Sequence, residues 1–309
     1  MTIELEDPTK LLDHVEGCFR DGEAGTGIRD LFQGLQRVRE KIPGPRWHEF
    51  VQEDVIEHPL ISTIHLDPMC RHSFEKPRGY PGDAELLDYI YRLREVSADS
   101  PVGQAVHEYA VNRPAACAVR HRKDWIAYTM DRTVEQHGRG ARVLSIACGH
   151  LREAKLSAAV QQGWLDELVA LDADERSLEV AVQNSPETIR PVHRSIGRLL
   201  GRPEKLGKFS FVYSAGLYDY LEPRVARRLS NCMFEMLEPG GRMLFSNFLP
   251  QVQDAGFMET YMGWQLIYRD RGALADTIAE LPDELVAERR IYEDPYGAIG
   301  YVEVTRERD

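Results

Sequence analysis

From Ala141 onward the chain alternates short apolar runs with helix-like runs, and this alternation constrains its fold more than any other feature. VLSIAC reads as a strand and LREAKLSAAVQQG as the helix after it. ELVALD and ERSLEVAVQNS repeat the pair, and IRPVHRSI adds a strand. FSFVYSAG is a further strand, RVARRLSNCMFEML a helix ended by Gly240 and Gly241, and GRMLFSNF the next strand. Strands joined through helices pair in parallel, with helices on both faces of the sheet. The final stretch, ELVAERRIYEDPYGAIGYVEVTRE, departs from this: two alternating runs flank DPYG, which predicts an antiparallel hairpin. The expected architecture is α/β, a Rossmann-like sheet of seven strands with the last one antiparallel.

Up to residue 138 the periodicity is helical, and no strand is expected. DPTKLLDHVEGCFR has Asp7 as N-cap and Pro8 at the first helical position. IRDLFQGLQRVREKI and WHEFVQEDVIEHPL follow, then DAELLDYIYRLREV from an Asp83 cap. RPAACAVRHRKDWIAYTMDRTVEQHG is the longest run, with Pro114 near its start. Two domains are therefore expected: an all-helical N-terminal cap over 1–138 and the sheet domain over 139–309.

Composition removes several classes of function. Of the 309 residues, 43% are hydrophobic and 28% charged, a globular profile. A net charge of −12 repels phosphate backbones and anionic lipid, so neither nucleic acid nor membrane is an expected partner. Cys18, Cys70, Cys117, Cys148 and Cys232 are odd in number and form no CxxC pair, which predicts reduced thiols rather than a disulfide framework or zinc knuckle. MTIELEDPTK lacks the basic start and apolar centre of a signal peptide, and no apolar run reaches membrane-spanning length. A cytoplasmic location is expected. His107, Glu108 and His121 lie on helices without forming a metal triad, and no metal site is expected.

In an open parallel sheet, ligands bind at the carboxyl ends of the strands near the topological switch point. The loop after the first strand is ACGHLRE. A dinucleotide needs G-x-G-x-x-G, and the later glycines are absent; His150, Leu151 and Arg152 would crowd a pyrophosphate. A cofactor without a pyrophosphate relaxes that demand. S-adenosylmethionine (SAM) presents a short zwitterionic tail and an adenosine, and Ala147, Cys148 and Gly149 can let the backbone approach it. Asp172 ends the second strand, where a carboxylate accepts hydrogen bonds from ribose hydroxyls. Asp174 suits the cap of the next helix; the plainer alternative makes both aspartates solvent-exposed caps.

VLSIACGHLRE, ALDADERSLEVA, FVYSAGLYDYL and LEPGGRMLFSNF, in this order, resemble the motifs of class I SAM-dependent methyltransferases. The resemblance covers about residues 113–307 and includes the LEPGG turn before strand five and the reversed last strand. It departs from the usual pattern at Ser145, where such strands often carry an acid, and in its thin glycine loop. It implies SAM as cofactor, with contacts from Tyr80, Ala147, Cys148, Gly149, Asp172, Ser195, Ile196, Ser214, Ala215 and Gly216. DPMCRHSFEKPRGYPGDAELLDYIY ahead of the ACG-RE loop, with YMGWQLIYRD after strand five, is similar to a narrower bacterial subgroup. That subgroup includes enzymes regarded as methyltransferases making 3-hydroxy fatty acid methyl ester signals. It also includes enzymes that close SAM's side chain into azetidine-2-carboxylate.

Other residues carry two readings each. PRGYPGD (77–83) forces turns, either as a helix connector or as a lid with Tyr80 near the ligand and Arg78 meeting a carboxylate. Tyr218, Asp219 and Tyr220 follow strand four. An aromatic face there would steady a sulfonium by about 0.5–2 kcal/mol, and Asp219 would orient or deprotonate an acceptor; otherwise the tyrosines pack at a helix start. Asn247, at the end of strand five, faces the cleft or caps its loop. Tyr261, Trp264 and Tyr268 have helical spacing, as core or as a substrate box. His150 is a base or an ordinary hydrogen-bonded histidine. The catalytic set implied by position is Tyr218, Asp219 and Asn247.

Three functions fit. The first is methyl transfer from SAM to a small molecule, on oxygen or nitrogen and including carboxylates, in secondary or signalling metabolism. The second is a SAM-consuming cyclase that releases methylthioadenosine and azetidine-2-carboxylate. The third is a non-catalytic SAM-binding regulator. The acceptor and the oligomeric state are not encoded in any pattern found here.

Overall fold

The computed structural model of the chain describes residues 8–96, 100–183, 187–202 and 206–308. Internal packing divides the chain into two compact units, Met1–Cys117 with Val252–Gln265, and Ala118–Gln251 with Leu266–Asp309. This differs from a single boundary after residue 138. The helix Pro114–His137 begins in the first unit and runs mostly in the second, and a segment after the fifth strand belongs to the first.

The second unit holds one sheet. Its strands are β1 (Ala141–Ile146), β2 (Leu165–Asp172), β3 (Ile189–His193), β4 (Phe209–Ser214), β5 (Leu237–Phe248), β6 (Val286–Glu293) and β7 (Ile299–Arg306). Their order is β3-β2-β1-β4-β5-β7-β6. β1 pairs in parallel with β2 and β4, β2 with β3, and β4 with β5. β7 runs antiparallel to both β5 and β6. This is an open, Rossmann-like sheet, with the reversal of strand order between β1 and β4. Leu144, Ile146, Val169, Leu171, Val212, Phe245 and Val302 bury one face of the sheet in a common core. Each such burial contributes about 1.5–3 kcal/mol, which is why the apolar runs were legible as strands.

Local boundaries differ from the sequence expectation for identifiable reasons. The run LREAKLSAAVQQG is not one helix but a 3-10 turn, Arg152–Lys155, and a short helix, Ala158–Gln161. Ser157 interrupts it: its hydroxyl donates to Asp131 (2.6 Å) and accepts from the Val160 N–H (3.3 Å), restarting the helix. Gly240 and Gly241 do not end the preceding helix, Pro223–Glu235, but lie inside β5. There the register with β4 shifts, and a Cβ on Gly241 would come 2.9 Å from the carbonyl oxygens of Glu238 and Phe209. β3 stops at His193, and Ser195 precedes a short helix, Ile196–Gly201, instead of extending the strand.

The first unit is helical, with no strand among its described residues. Asp7 lies outside the described residues; Pro8 directly precedes the helix Thr9–Arg20. Asp83 caps Ala84–Ile90 as expected, accepting from the Leu86 N–H. The helix Pro68–Glu75 went unread; like Pro101–Val111, which carries His107 and Glu108 on a helix as expected, it is opened by a cap followed by proline (Asp67 and Ser100). The run WHEFVQEDVIEHPL is broken by a π turn over Phe50–Asp54. The returning helix Ala255–Tyr261 is buried throughout. It packs on Ala24–Lys41 so closely that a Cβ on Gly256 would meet the Leu35 carbonyl carbon at 2.7 Å. Phe257 stacks on Phe32 (4.0 Å), and Glu259 accepts from Arg39 and from Trp47 Nε1 (2.7 Å). The helix stops at Tyr261, and residues 264–270 are irregular, so Tyr261, Trp264 and Tyr268 form no helical stripe. Among the described residues no helix is long and apolar enough to cross a membrane.

Candidate active site

The loop after β1 carries three left-handed residues in five: Ala147 (φ 54°), Gly149 (φ 53°) and Leu151 (φ 51°). For alanine and leucine this conformation costs about 1–2 kcal/mol each, so the surroundings must hold it. The Cys148 N–H donates to the Leu171 carbonyl (3.1 Å) and the Gly149 N–H to Asp172 Oδ2 (2.8 Å). Asp172 Oδ1 accepts from the Asp174 N–H (2.9 Å), and its carbonyl accepts from Arg194 N–H (2.8 Å). One residue at the end of β2 thus ties together the loops after β1, β2 and β3. Burial lifts its carboxyl above the ordinary range, against the pull of these N–H donors. Asp174 accepts from the Arg176 N–H and the Ser177 hydroxyl, as a helix cap does. The Cys148 thiol is pushed far up by burial, so it stays protonated.

At the neighbouring strand end, the Ser214 hydroxyl donates to the Ile146 carbonyl (3.0 Å), and the Ser246 hydroxyl to that of Ala215. Gly216 comes next, then the 3-10 turn Tyr218–Tyr220. Tyr218 is fully buried, its ring stacked on Phe245 at 3.8 Å and its hydroxyl 2.9 Å from the Ser230 hydroxyl. Asn247 donates to the carbonyls of Phe248 and Ile267 (2.9 Å each) and accepts from Arg269 Nη1 (2.5 Å). Arg269 also donates to the carbonyls of Tyr218 (2.6 Å) and Leu221. Asp219 accepts from the Phe248 N–H (2.7 Å). Burial pushes its carboxyl up to about 7, although the Arg122 and Arg269 charges pull the other way.

The structure therefore brings Ala147, Cys148, Gly149 and Asp172 together, and Ser214, Ala215, Gly216 and Asp219 onto the adjoining strand end. Ser195 and Ile196 follow β3, the first exposed and the second half-buried. Tyr80 belongs to the helical unit, on an exposed turn beside Gly79 (φ 91°). Arg78 pairs there with Glu85 (2.6 Å), so the carboxylate it meets is internal.

Three residues of the site went unread. The Tyr213 hydroxyl donates to Glu153 (2.7 Å), whose carboxyl burial holds above the ordinary range. Tyr213 pairs in register with Ser145, so a carboxylate from the following turn is joined to the strand end where serine replaces the usual acid. Arg122 is 3% exposed. Its signal was present: Val119, Ile126, Thr129 and Thr133 are buried at spacings of three and four around it, placing an arginine on the buried stripe of its helix.

Among the described residues, one group of possible metal ligands lies close together, Asp13, Glu16 and His58 in the helical unit. The Leu60 N–H donates to His58 Nδ1 (3.1 Å), which leaves Nε2 protonated and donating to Asp13 (3.3 Å). That tautomer has no lone pair for a cation.

No protein-family model matches the chain, and no curated protein matches it. Among solved structures, it is similar to a possible exported protein from Bordetella parapertussis (16% identity, TM-score 0.59, 93% of this chain and 97% of that one). The plantazolicin methyltransferase BpumL, in complex with a desmethyl analogue and S-adenosylhomocysteine, aligns at 9% identity and TM-score 0.48 over 78% of this chain and 100% of its own. N-methyltransferase NodS from Bradyrhizobium japonicum WM9 with S-adenosylhomocysteine aligns at 16% identity and TM-score 0.44, over 63% of this chain and 89% of its own. At these identities the likeness concerns the fold alone, and the last two scores are too low to extend it.

Proposed function

We propose that the chain binds SAM at the carboxyl edge of β1, β2 and β4 and transfers its methyl group to a small molecule. The observation that carries this reading is the left-handed loop Ala147–Leu151 bonded to Asp172 at the switch point. Ala147 and Gly149 are small and half-buried, the second-strand carboxylate suits a ribose, and the glycines a pyrophosphate needs are missing. The net charge of −12 supports a small acceptor over a nucleic acid. Ser195, Ile196, Ser214, Ala215 and Gly216 are the further proposed contacts.

Bound SAM supplies a methyl group already activated on a sulfonium. The protein has to orient the acceptor and exclude water. Asp219, with its carboxyl near 7, is the group proposed to accept a proton from the acceptor. Tyr218 and Asn247 spend their polar groups on Ser230, Arg269 and main chain, and we assign them to shaping the loop that presents Asp219.

Calorimetry with SAM and S-adenosylhomocysteine tests the reading. Asp172→Ala is expected to weaken binding by about 1–3 kcal/mol, and an unchanged affinity would remove Asp172 from the site. Incubation with SAM alone separates transfer from cyclisation. Methylthioadenosine appearing without an added acceptor would replace methyl transfer by the lyase reaction.

A further inference from the structure

Within the sheet unit, the helix Pro114–His137 is buried along one side and carries a narrow ridge toward solvent on the other. Val119, Ile126, Met130 and Thr133 are buried. His121, Asp124, Tyr128, Arg132 and Glu135 return to the opposite side at spacings of three and four; the first is half-buried and the other four are exposed. The ridge is aromatic as well as charged. Tyr128 is 48% exposed, and the Trp125 ring lies beside it at 5.3 Å. Tyr296, equally exposed in the turn between β6 and β7, meets the His121 ring edge-on at 6.4 Å. These rings are held in place. Trp125 Nε1 donates to the Tyr292 hydroxyl (2.9 Å), Tyr292 stacks on Tyr301 (5.3 Å), and Arg132 Nη1 donates to the Tyr128 hydroxyl (3.2 Å). Side chains already immobilised lose little freedom on being covered, and tyrosine, tryptophan and arginine are the types that dominate protein interfaces.

The order of charges along the ridge points to one occupant. Asp124 stands four residues before Tyr128 and Arg132 four after it; His121 stands seven before and Glu135 seven after. Asp124 and Arg132 are about 12 Å apart along the axis, too far to pair within one helix. Their own ion pairs are exposed, Asp124 with Lys123 (3.7 Å) and Arg132 with Glu135 (3.5 Å), and such pairs hold little energy against rearrangement. A second copy laid antiparallel about a two-fold axis at Tyr128 brings opposite signs together twice. Asp124 then faces the partner's Arg132, Arg132 faces the partner's Asp124, and His121 faces the partner's Glu135. Contacts in which one position meets a second, and the second meets the first, are what a two-fold interface requires. A polyanion or a peptide of uniform charge is poorly matched, because the ridge carries both signs in balance. We infer that the chain forms a dimer through this ridge, His121 to Glu135, covered by the same ridge of a second copy with Tyr128 on the axis. The dimer is independent of what binds at the strand ends.

Charge reversal tests the pairing, read by sedimentation equilibrium of the full chain. The proteins are wild type, Asp124→Arg, Arg132→Asp and the variant carrying both substitutions. Wild type is expected to dimerise with a dissociation constant at or below about 10 μM. Each single reversal sets two like-charge pairs across the axis and is expected to raise that constant at least about 10-fold. The double variant restores opposite signs at both places and should return to within about 3-fold of wild type. Recovery of this kind separates the proposed register from any contact that merely includes these residues. A wild-type chain that stays monomeric at about 100 μM overturns the interface and needs no variant to fold. A dimer indifferent to both single reversals also overturns it. So does a dimer that the single reversals weaken and the double variant fails to recover.

Discussion

The loops after β1 and β4 leave the same edge of the sheet and are built in opposite ways. The first, Ala147–Leu151, is main chain held in left-handed turns by N–H donation to Leu171 and Asp172. The second, from Ala215 to Leu221, is held by side chains: Arg269 grips two of its carbonyls, and Tyr218 anchors in the core. The first is shaped by its own backbone at the expense of local strain. The second is a packed wall whose polar groups are largely committed inward. A strand end that presents backbone can receive a ligand's polar tail, whereas one filled with side chains can shape and titrate.

The sharpest way to break this contrast is Arg269→Met. It would leave the Tyr218 and Leu221 carbonyls and Asn247 Oδ1 without their donor, and a loss of about 3–5 kcal/mol in urea unfolding is expected. A loss below about 1 kcal/mol would mean that the second loop does not depend on its side chains.

Next comes pH. Folding lifts Asp219 from its ordinary 3.8 to about 7 and so favours the neutral acid. Its stabilising contribution is complete below pH 4 and is lost as pH rises through 7. Asp219→Asn should flatten the fall in unfolding free energy between pH 4 and 8 by about 2–4 kcal/mol relative to wild type. Parallel stability profiles would remove this difference between the loops.

The smallest effect separates the backbones directly. Ala147→Gly relieves a left-handed alanine and should be neutral or stabilising by up to about 1 kcal/mol. Ala215→Gly, with no positive φ to relieve, should destabilise by about 0.5–1 kcal/mol. Equal effects in thermal unfolding would show that the strain at Ala147 is not borne by that residue.

Sequence reading reached what local chemistry writes plainly. The parallel strands, the closing hairpin, the Asp83 cap and the pairing of a small-residue loop with Asp172 follow from apolar period, turn residues and spacing. It missed what depends on distant partners. Ser157 breaks a helix because Asp131, 26 residues earlier, meets its hydroxyl. Asn247 resembled a cleft residue because nothing in SNF announces Arg269. Gly240 and Gly241 read as a helix stop because the close approach of Gly241 to Phe209 belongs to the neighbouring strand. Arg122 was legible in principle as a charge on a buried stripe, but helical runs were read for their existence rather than their exceptions.

The helix Ala255–Tyr261 has a consequence for how this protein is made. Every residue of it is buried, and it belongs with helices encoded more than 200 positions earlier, including Ala24–Lys41. During synthesis the helical unit lacks this piece until residue 265 has left the ribosome, by which time β1 to β5 have already emerged. Strict N-to-C folding of one finished domain after another is therefore closed to this chain. For the same reason, cutting at residue 117 would not yield two proteins: the C-terminal fragment would carry Phe257, Met258 and Tyr261 into water with nothing to cover them.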